Sequence, residues 1–466
     1  MSITITERTQ QAEQLKRQGR YAEALEILRD IARGAPNNVA VLHNYAACLG
    51  DLGRHREAID VLNTGFAKGL NAPESWLVYA RAQAGVNALD AAQEAFLKLL
   101  ALRPSDPDGH RDLAQLIWMR TGDQNEALVY LNRAIERNPN DWGLHITRAK
   151  IFGQTGDPQT SYAVLAELAK RSGGAAVLET AACNAALAIN DFNGALAHGR
   201  RAATAAPTDD GAQTAYVCAL LANGELEESA AVINQLRDRQ PLNQLFIALQ
   251  ATVWRLAGDA RYYDLMDYER FVQPSPLDTP KGWNTLEGYV SDLIEALDAM
   301  HCFEAHPFAQ SVKHGSQISS ITTAPYPALK AFEEAAHGPV ARYLERLGEG
   351  SDPLRRRNHG AFHLFSAWSI RLPANGFHIN HVHPEGWISS ACHLRASSAE
   401  PDSPHAGSLK FGEPGVATQP EIEPELILKP EPGVLVLFPS YMWHGTVPFG
   451  GNSSRLTIAA DFHPTA

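Results

Sequence analysis

Cysteine is scarce in this chain: five in 466 residues, at Cys48, Cys183, Cys218, Cys302 and Cys392, with no C-x-x-C pair. So sparse a set excludes a disulfide framework or a zinc ribbon and points to a reducing compartment, the cytoplasm. Long apolar runs are missing too, and no stretch reaches the length that a membrane span needs. The first residues, M-S-I-T-I-T-E-R-T-Q-Q, lack the basic segment and following apolar segment of a secretory leader. Positive charge is in deficit: 40 Lys and Arg against 52 Asp and Glu give a formal net charge of −12. Nucleic-acid-binding surfaces usually leave a basic stripe. Here the one compact basic run is Arg355-Arg356-Arg357, read as a solvated loop before a strand. Neither nucleic acid nor a membrane is an expected partner.

What is present is ordinary in bulk, with 45% hydrophobic and 20% charged residues, and long enough for several domains. The organisation lies in a period. Small residues recur at Ala24, Ala58, Ala92, Ala127, Ser161, Ala195 and Ser229, in steps of 34 with a single 35, and Tyr263 falls on the next step. Pro36, Pro104, Pro139, Pro207 and Pro241 follow twelve residues behind such positions, where a helix must end. Turn signals such as Gly19-Arg20, Gly53-Arg54, Gly122-Asp123 and Asn190-Asp191 separate paired helices. Small side chains let the two helices of a pair approach closely, and one pair cannot bury its apolar face without a neighbour. The third copy, with Trp76, Tyr79, Ala80, Ala92, Phe96 and Pro104, resembles the tetratricopeptide repeat most fully. About eight copies are expected over residues 1–275. Asn44 with His43 is taken as one edge of a groove for a partner.

Past Pro274 and Pro276 the period stops. Residues 284–301 and 328–347 carry helical apolar spacing. Short strands are then expected at 362–372, 387–395, 408–411, 426–428, 434–438 and 455–462, between Gly-, Pro- and Asn-rich turns. Such a series suits a jelly-roll backed by helices. Within it, N-G-F-H-I-N-H-V-H-P-E-G-W sets His381 and His383 at i and i+2, on one side of an extended segment. His444, in L-F-P-S-Y-M-W-H-G, would come from a neighbouring strand as a third ligand. Three ligands on one face leave other coordination positions open for catalysis.

The sequence H-V-H, then G-S-L-K-F, then L-F-P-S-Y-M-W-H, then Arg455 eleven residues later resembles the iron(II)- and 2-oxoglutarate-dependent oxygenases. The likeness is greatest to a bacterial group that carries N-terminal tetratricopeptide repeats, and Q-S-V-K-H-G-S-Q (310–317) is similar to it as well. The resemblance implies an α + β multidomain chain: an all-α tetratricopeptide superhelix (1–275), then a double-stranded β-helix, or jelly-roll, barrel with backing helices (276–466). It implies Fe(II) and 2-oxoglutarate as cofactors, with His381, His383 and His444 as metal ligands. Arg455 would pair with the distal carboxylate of 2-oxoglutarate, a task for a guanidinium fork. His393 and Ser389 are further candidates for the cofactor pocket, His393 standing where related prolyl hydroxylases place a tyrosine. The departure from the wider superfamily is His383, where Asp or Glu is usual. Glu385, in the H-x-E triplet His383-Pro384-Glu385, is the rival ligand, or else orients a ligand from behind.

Trp368, Trp387 and Trp443 are expected in the core or the pocket walls, and His378 near the mouth. His359, His363, His405 and His463 are expected to have no metal role. The function expected is dioxygenase hydroxylation of a protein or peptide side chain recruited by the repeats, with a homo-oligomer possible. Two alternatives stand beside it: a small-molecule oxygenase whose repeats serve assembly, and a non-catalytic repeat adaptor with a relic barrel.

Overall fold

The computed structural model describes residues 4–17, 19–396 and 404–465. They fall into two compact units, one of residues 1–118 and 123–148 and the other of residues 119–122 and 149–466. The helices of both follow the period read from the sequence. They are α1 (Ile5–Arg17), α2 (Tyr21–Gly34), α3 (Val39–Asp51), α4 (His55–Ala67), α5 (Pro73–Gly85), α6 (Leu89–Leu102), α7 (Pro107–Thr121), α8 (Gln124–Arg137), α9 (Trp142–Gln154) and α10 (Pro158–Arg171). The series continues with α11 (Ala176–Ala188), α12 (Phe192–Ala205), α13 (Asp210–Ala222), α14 (Leu226–Arg239) and α15 (Gln244–Ala257).

Every small residue of the period, from Ala24 to Ser229, is buried on the second helix of its pair. The turn within each pair passes through one left-handed residue: Gly19, Gly53, Asn87, Gly122, Gly156, Asn190, Gly224 and Gly258 all have positive φ. Glycine takes this conformation without strain, and asparagine is the side chain that tolerates it best. In the first unit, Phe66 stacks on Trp76 with ring centroids 4.1 Å apart, and His43 Nδ1 pairs with Ser75 Oγ at 2.9 Å. That internal bond occupies one end of the proposed groove edge.

The eighth copy is half built. Helix α15 is full length, but α16 runs only Arg261–Leu265, and Tyr263, at the position of the buried small residues, is 69% exposed. A phenol cannot fit where Ala195 and Ser229 pack. The chain turns instead through α17 (Tyr268–Phe271) into β1 (Gln273–Pro276).

So Pro274 and Pro276, which mark the end of the repeats in the sequence, form a sheet edge, where a residue without N–H is tolerated. β1 pairs antiparallel with β9 (Val434–Pro439). The remaining strands are β2 (Val312–Lys313), β3 (Ser316–Ser319), β4 (Phe362–Leu372), β5 (Phe377–His378), β6 (Ile388–Arg395), β7 (Leu409–Phe411), β8 (Leu426–Leu428), β10 (His444–Thr446) and β11 (Arg455–Pro464). An antiparallel sheet of six strands runs β1-β9-β6-β11-β4-β3, a smaller one runs β10-β7-β8, and β2 pairs with β5. The six strands expected from the sequence stand within one or two residues of those limits. The short β2, β3, β5 and β10 carry too few residues to show alternation.

Helices α18 (Leu286–Met300) and α20 (Phe332–Leu347) back the larger sheet, and the short α19 (Pro327–Lys330) packs against both of them. Tyr289, Leu293, Phe332, Val340 and Tyr343 pack with Leu435, Leu437, Ile458 and Phe462. Ile247, Ala251, Tyr262 and Leu265, from the last repeat helices, belong to the same core. Packing in this unit therefore runs across residue 275 without a break.

Tyr263→Ala is expected to change stability by less than about 0.5 kcal/mol. Ala195→Leu, at the buried equivalent, is expected to cost about 1–3 kcal/mol by overpacking. Urea unfolding of the two variants beside the parent chain reads the difference.

Candidate metal centre

The three histidines meet through backbone pairing. His381 N donates to His444 O at 2.9 Å and His444 N donates to His381 O at 3.1 Å, an isolated antiparallel bridge that joins the H-V-H segment to β10. Gly445 makes this crossing feasible: a Cβ there would collide with the Asn380 side chain and the His378 carbonyl. His383 N donates to Ser440 O at 3.0 Å, which fixes the second imidazole two residues on. One ring nitrogen from each of His381, His383 and His444 lies within 4.8 Å of the others, and among the described residues this is the cluster that could hold a metal.

Each ring is tied at its other nitrogen. His381 Nδ1 is 2.9 Å from Ile379 O, His444 Nδ1 is 2.9 Å from Met442 O, and His383 Nδ1 is 2.6 Å from Asp461 Oδ1. With a proton on each Nδ1, the Nε2 lone pairs are left to face one another, the tautomer that a metal requires. His381 Nε2 and His383 Nε2 stand 3.4 Å apart, close to the roughly 3 Å between neighbouring nitrogens bound at about 2.1 Å to one ion. Burial, and then the neighbouring imidazoles, push the His381 ring down to about 3 and the His444 ring well below its ordinary value. Both are neutral near pH 7, so no proton need leave before a cation binds. The residues present fit a divalent metal held on one face.

Asp461 carries no signal in the sequence, yet it sets the orientation of His383. It lies on β11 directly opposite Ser389 of β6. Ser389 Oγ donates to Asp461 Oδ1 at 2.7 Å and lies 2.8 Å from both His383 Nδ1 and Ser440 Oγ. Ser389 is fully buried behind the histidine and is absent from the cavity wall. Its place is that of a positioning residue rather than a cofactor contact. Glu385 is exposed and is not in the cluster.

The cluster opens into a cavity of about 570 Å³, lined by Trp368, His378, Phe438, Arg455 and Thr457 among others. His378, expected near the mouth, lines it and shares Ser311 Oγ with His381, at 2.9 and 3.3 Å. Arg455, 2% exposed, donates from Nη1 to Gly407 O at 2.5 Å, while its Nε has no partner. Burial lowers the guanidinium to about 10, so it stays charged in a wall that holds no carboxylate among the described residues. An unpaired buried guanidinium facing a cavity fits an anionic occupant. His393 stands behind Thr457, with Nδ1 3.3 Å from Thr457 Oγ1 and Nε2 unpartnered. It is absent from the cavity wall.

The site is seated on repeat helices of the same unit. Val382, between the two histidines, and Trp443 beside His444 pack with Val217, Leu221, Phe246, Leu249 and Val253. Trp443 Nε1 donates to Thr252 Oγ1 at 3.0 Å, and Gln244 N donates to Pro384 O at 3.0 Å. Trp387 is a core residue, its indole donating to Leu354 O at 2.9 Å. His359, His363, His405 and His463 are outside the cluster.

Asp461→Asn keeps the shape but removes the charge that orients the His383 ring. Apparent affinity for iron(II), or for cobalt(II) as a coloured substitute, is expected to fall about 10–100-fold. Anaerobic metal titration measures it.

Residues 366–461 match the family described as "Putative 2OG-Fe(II) oxygenase", and residues 15–82 match the "Tetratricopeptide repeat" family. None of the curated proteins compared matches the chain. Among solved structures, a tetratricopeptide repeat protein from Parabacteroides merdae ATCC 43184 is 15% identical, covering 53% of this chain and 98% of its own, with a TM-score of 0.38. A thermophilic TPR protein in Thermus thermophilus is 22% identical over 39% of this chain and 99% of its own, with a TM-score of 0.30. The chain thus joins a tetratricopeptide-repeat region to a domain of that oxygenase family.

Proposed function

We propose that the chain is an iron(II)- and 2-oxoglutarate-dependent dioxygenase that hydroxylates a protein or peptide side chain, with residues 276–466 as its jelly-roll catalytic domain and residues 1–275 as its repeat domain. The observation that carries this reading is the pairing of three inward-facing imidazole nitrogens with an unmatched buried guanidinium around one cavity. His381, His383 and His444 would hold the iron through Nε2, and Arg455 would take the distal carboxylate of 2-oxoglutarate. Bound together, iron(II) and 2-oxoglutarate supply the activation of dioxygen, coupled to loss of carbon dioxide, that hydroxylation of a C–H bond requires.

The protein's own part is positioning and exclusion. Asp461 and Ser389 keep the His383 ring aimed at the metal position and place a negative charge one hydrogen bond behind it. In sites with a coordinating Asp or Glu that charge touches the metal. Phe438, Trp368 and Leu409 wall the cavity with apolar surface, which limits water near the reacting atoms. Sparse cysteines without a C-x-x-C pair and iron(II) both suit a reducing compartment, and we place the protein in the cytoplasm.

A second reading, a small-molecule oxygenase in which repeats serve only as scaffold, is favoured by one observation. Helices α13 to α15 pack directly on the metal loops, so those repeats have a structural task whatever the substrate. Tetratricopeptide repeats in general mediate protein interactions, and a recruited protein remains the first reading.

Adding iron(II) and then 2-oxoglutarate to the protein without oxygen is expected to give a visible charge-transfer band. Arg455→Ala is expected to keep iron binding but to weaken 2-oxoglutarate by about 2 kcal/mol or more, roughly thirty-fold, as a charge-assisted pair is lost. Succinate release with and without candidate peptides then separates the two readings. No band in the parent chain would contradict both.

A further inference from the structure

Among the described residues, two cationic side chains besides histidine line the cavity, Arg455 and Lys313, and no aspartate or glutamate does. The protein as a whole is acidic, at −12, so this concentration of one sign is local. Arg455 is buried and reserved, on the reading above, for 2-oxoglutarate. Lys313 is different: it is half-buried on β2, and its ammonium makes no hydrogen bond or ion pair among the described residues. Burial holds it below the usual lysine value, and no nearby carboxylate raises it again. A partly desolvated ammonium without a counterion costs free energy that an incoming anion would recover.

The surrounding segment is built to hold this position. Ala309 and His314 both have positive φ, an uncommon conformation for residues other than glycine, and they bracket Gln310 to Lys313. Ala309 N donates to Gln154 Oε1 at 2.8 Å, which pins the segment to the last residue of α9. Lys313 stands opposite Phe377 in the β2–β5 pair, next to the pair that joins Val312 and His378. Gln154, Gln310 and Gln317 share the wall with Lys313, and Gln310 is exposed. Amides beside a cation suit a peptide whose backbone needs donors and acceptors.

We propose that Lys313 is a specificity residue that pairs with a carboxylate of the substrate, so that the substrates are peptides with an acidic side chain at or next to the reacting position. This rests on the oxygenase reading and adds the substrate class to it. The ammonium would donate a charge-assisted hydrogen bond to the side-chain carboxylate, while Arg455 keeps the cosubstrate.

The test uses the full chain loaded with iron(II) without oxygen, with Lys313→Gln and Lys313→Arg beside the parent. One measurement is 2-oxoglutarate affinity. The other is binding of capped fluorescent peptides that differ only in a central Asp, Glu, Asn or Gln. The parent is expected to prefer the acidic peptide over its amide partner by about ten-fold or more, equivalent to about 1.4 kcal/mol. Lys313→Gln should lose the preference and Lys313→Arg should keep it, with 2-oxoglutarate affinity within about two-fold in both. A ten-fold loss of 2-oxoglutarate affinity in Lys313→Gln would assign the lysine to the cosubstrate, overturning the inference but not the oxygenase reading. Equal binding of acidic and amide peptides by the parent, or none, would likewise overturn the inference alone. Failure of the parent to bind 2-oxoglutarate would overturn the reading and the inference with it.

Discussion

Bringing three imidazoles within a few ångström of one another takes polar nitrogens out of water, and each must find a partner or lose free energy. The chain meets this with three different acceptors on the outer nitrogens: the carbonyls of Ile379 and Met442, and the carboxylate of Asp461. Two of these are backbone groups within two residues of the histidine they serve, so local geometry alone places them. The third comes from β11 and depends on the sheet. Whatever shifts the β11–β6 register parts Asp461 from Ser389 and turns the His383 ring away. The inward direction of His383 Nε2, and with it the third ligand position, depends on that register.

The loops that carry the histidines are in turn supported from beneath. The H-V-H loop and the Trp443–His444 turn rest on α13 to α15. This explains why the eighth copy is cut short. Its second helix would occupy the ground that α16, α17 and β1 use to enter the sheet, and Tyr262 and Leu265 are spent on the shared core. The last repeats are part of the foundation on which the histidine cluster sits. The first unit has an apolar core of its own, built of residues such as Leu28, Leu49 and Leu62.

Much of this was legible in the sequence because it is written in local patterns. Ala24 to Ser229 repeat at a fixed period, and each lands in the same packed position. The long strands alternate between turns, and His381, His383 and His444 announce themselves by spacing. What could not be read depends on partners distant in the chain. Asp461 is an ordinary strand residue until β11 lies beside β6. Ser389 looks like a pocket hydroxyl until the sheet turns it behind His383. Lys313, in Q-S-V-K-H-G-S-Q, acquires meaning only when a two-residue strand brings it to the cavity wall. Pro274 and Pro276 show in the sequence only as the end of the period, because a proline-rich edge strand has no signature of its own.

The claim on which everything else stands is that the metal is held by three imidazoles and by no carboxylate. X-ray absorption at the iron edge of the anaerobic iron(II) protein, recorded for the parent and for Glu385→Gln, tests it most directly. The account predicts scattering from three imidazole rings, unchanged by Glu385→Gln. A spectrum fitted by two imidazoles and a carboxylate, altered in that variant, would contradict it and make Glu385 a ligand after rearrangement of its loop.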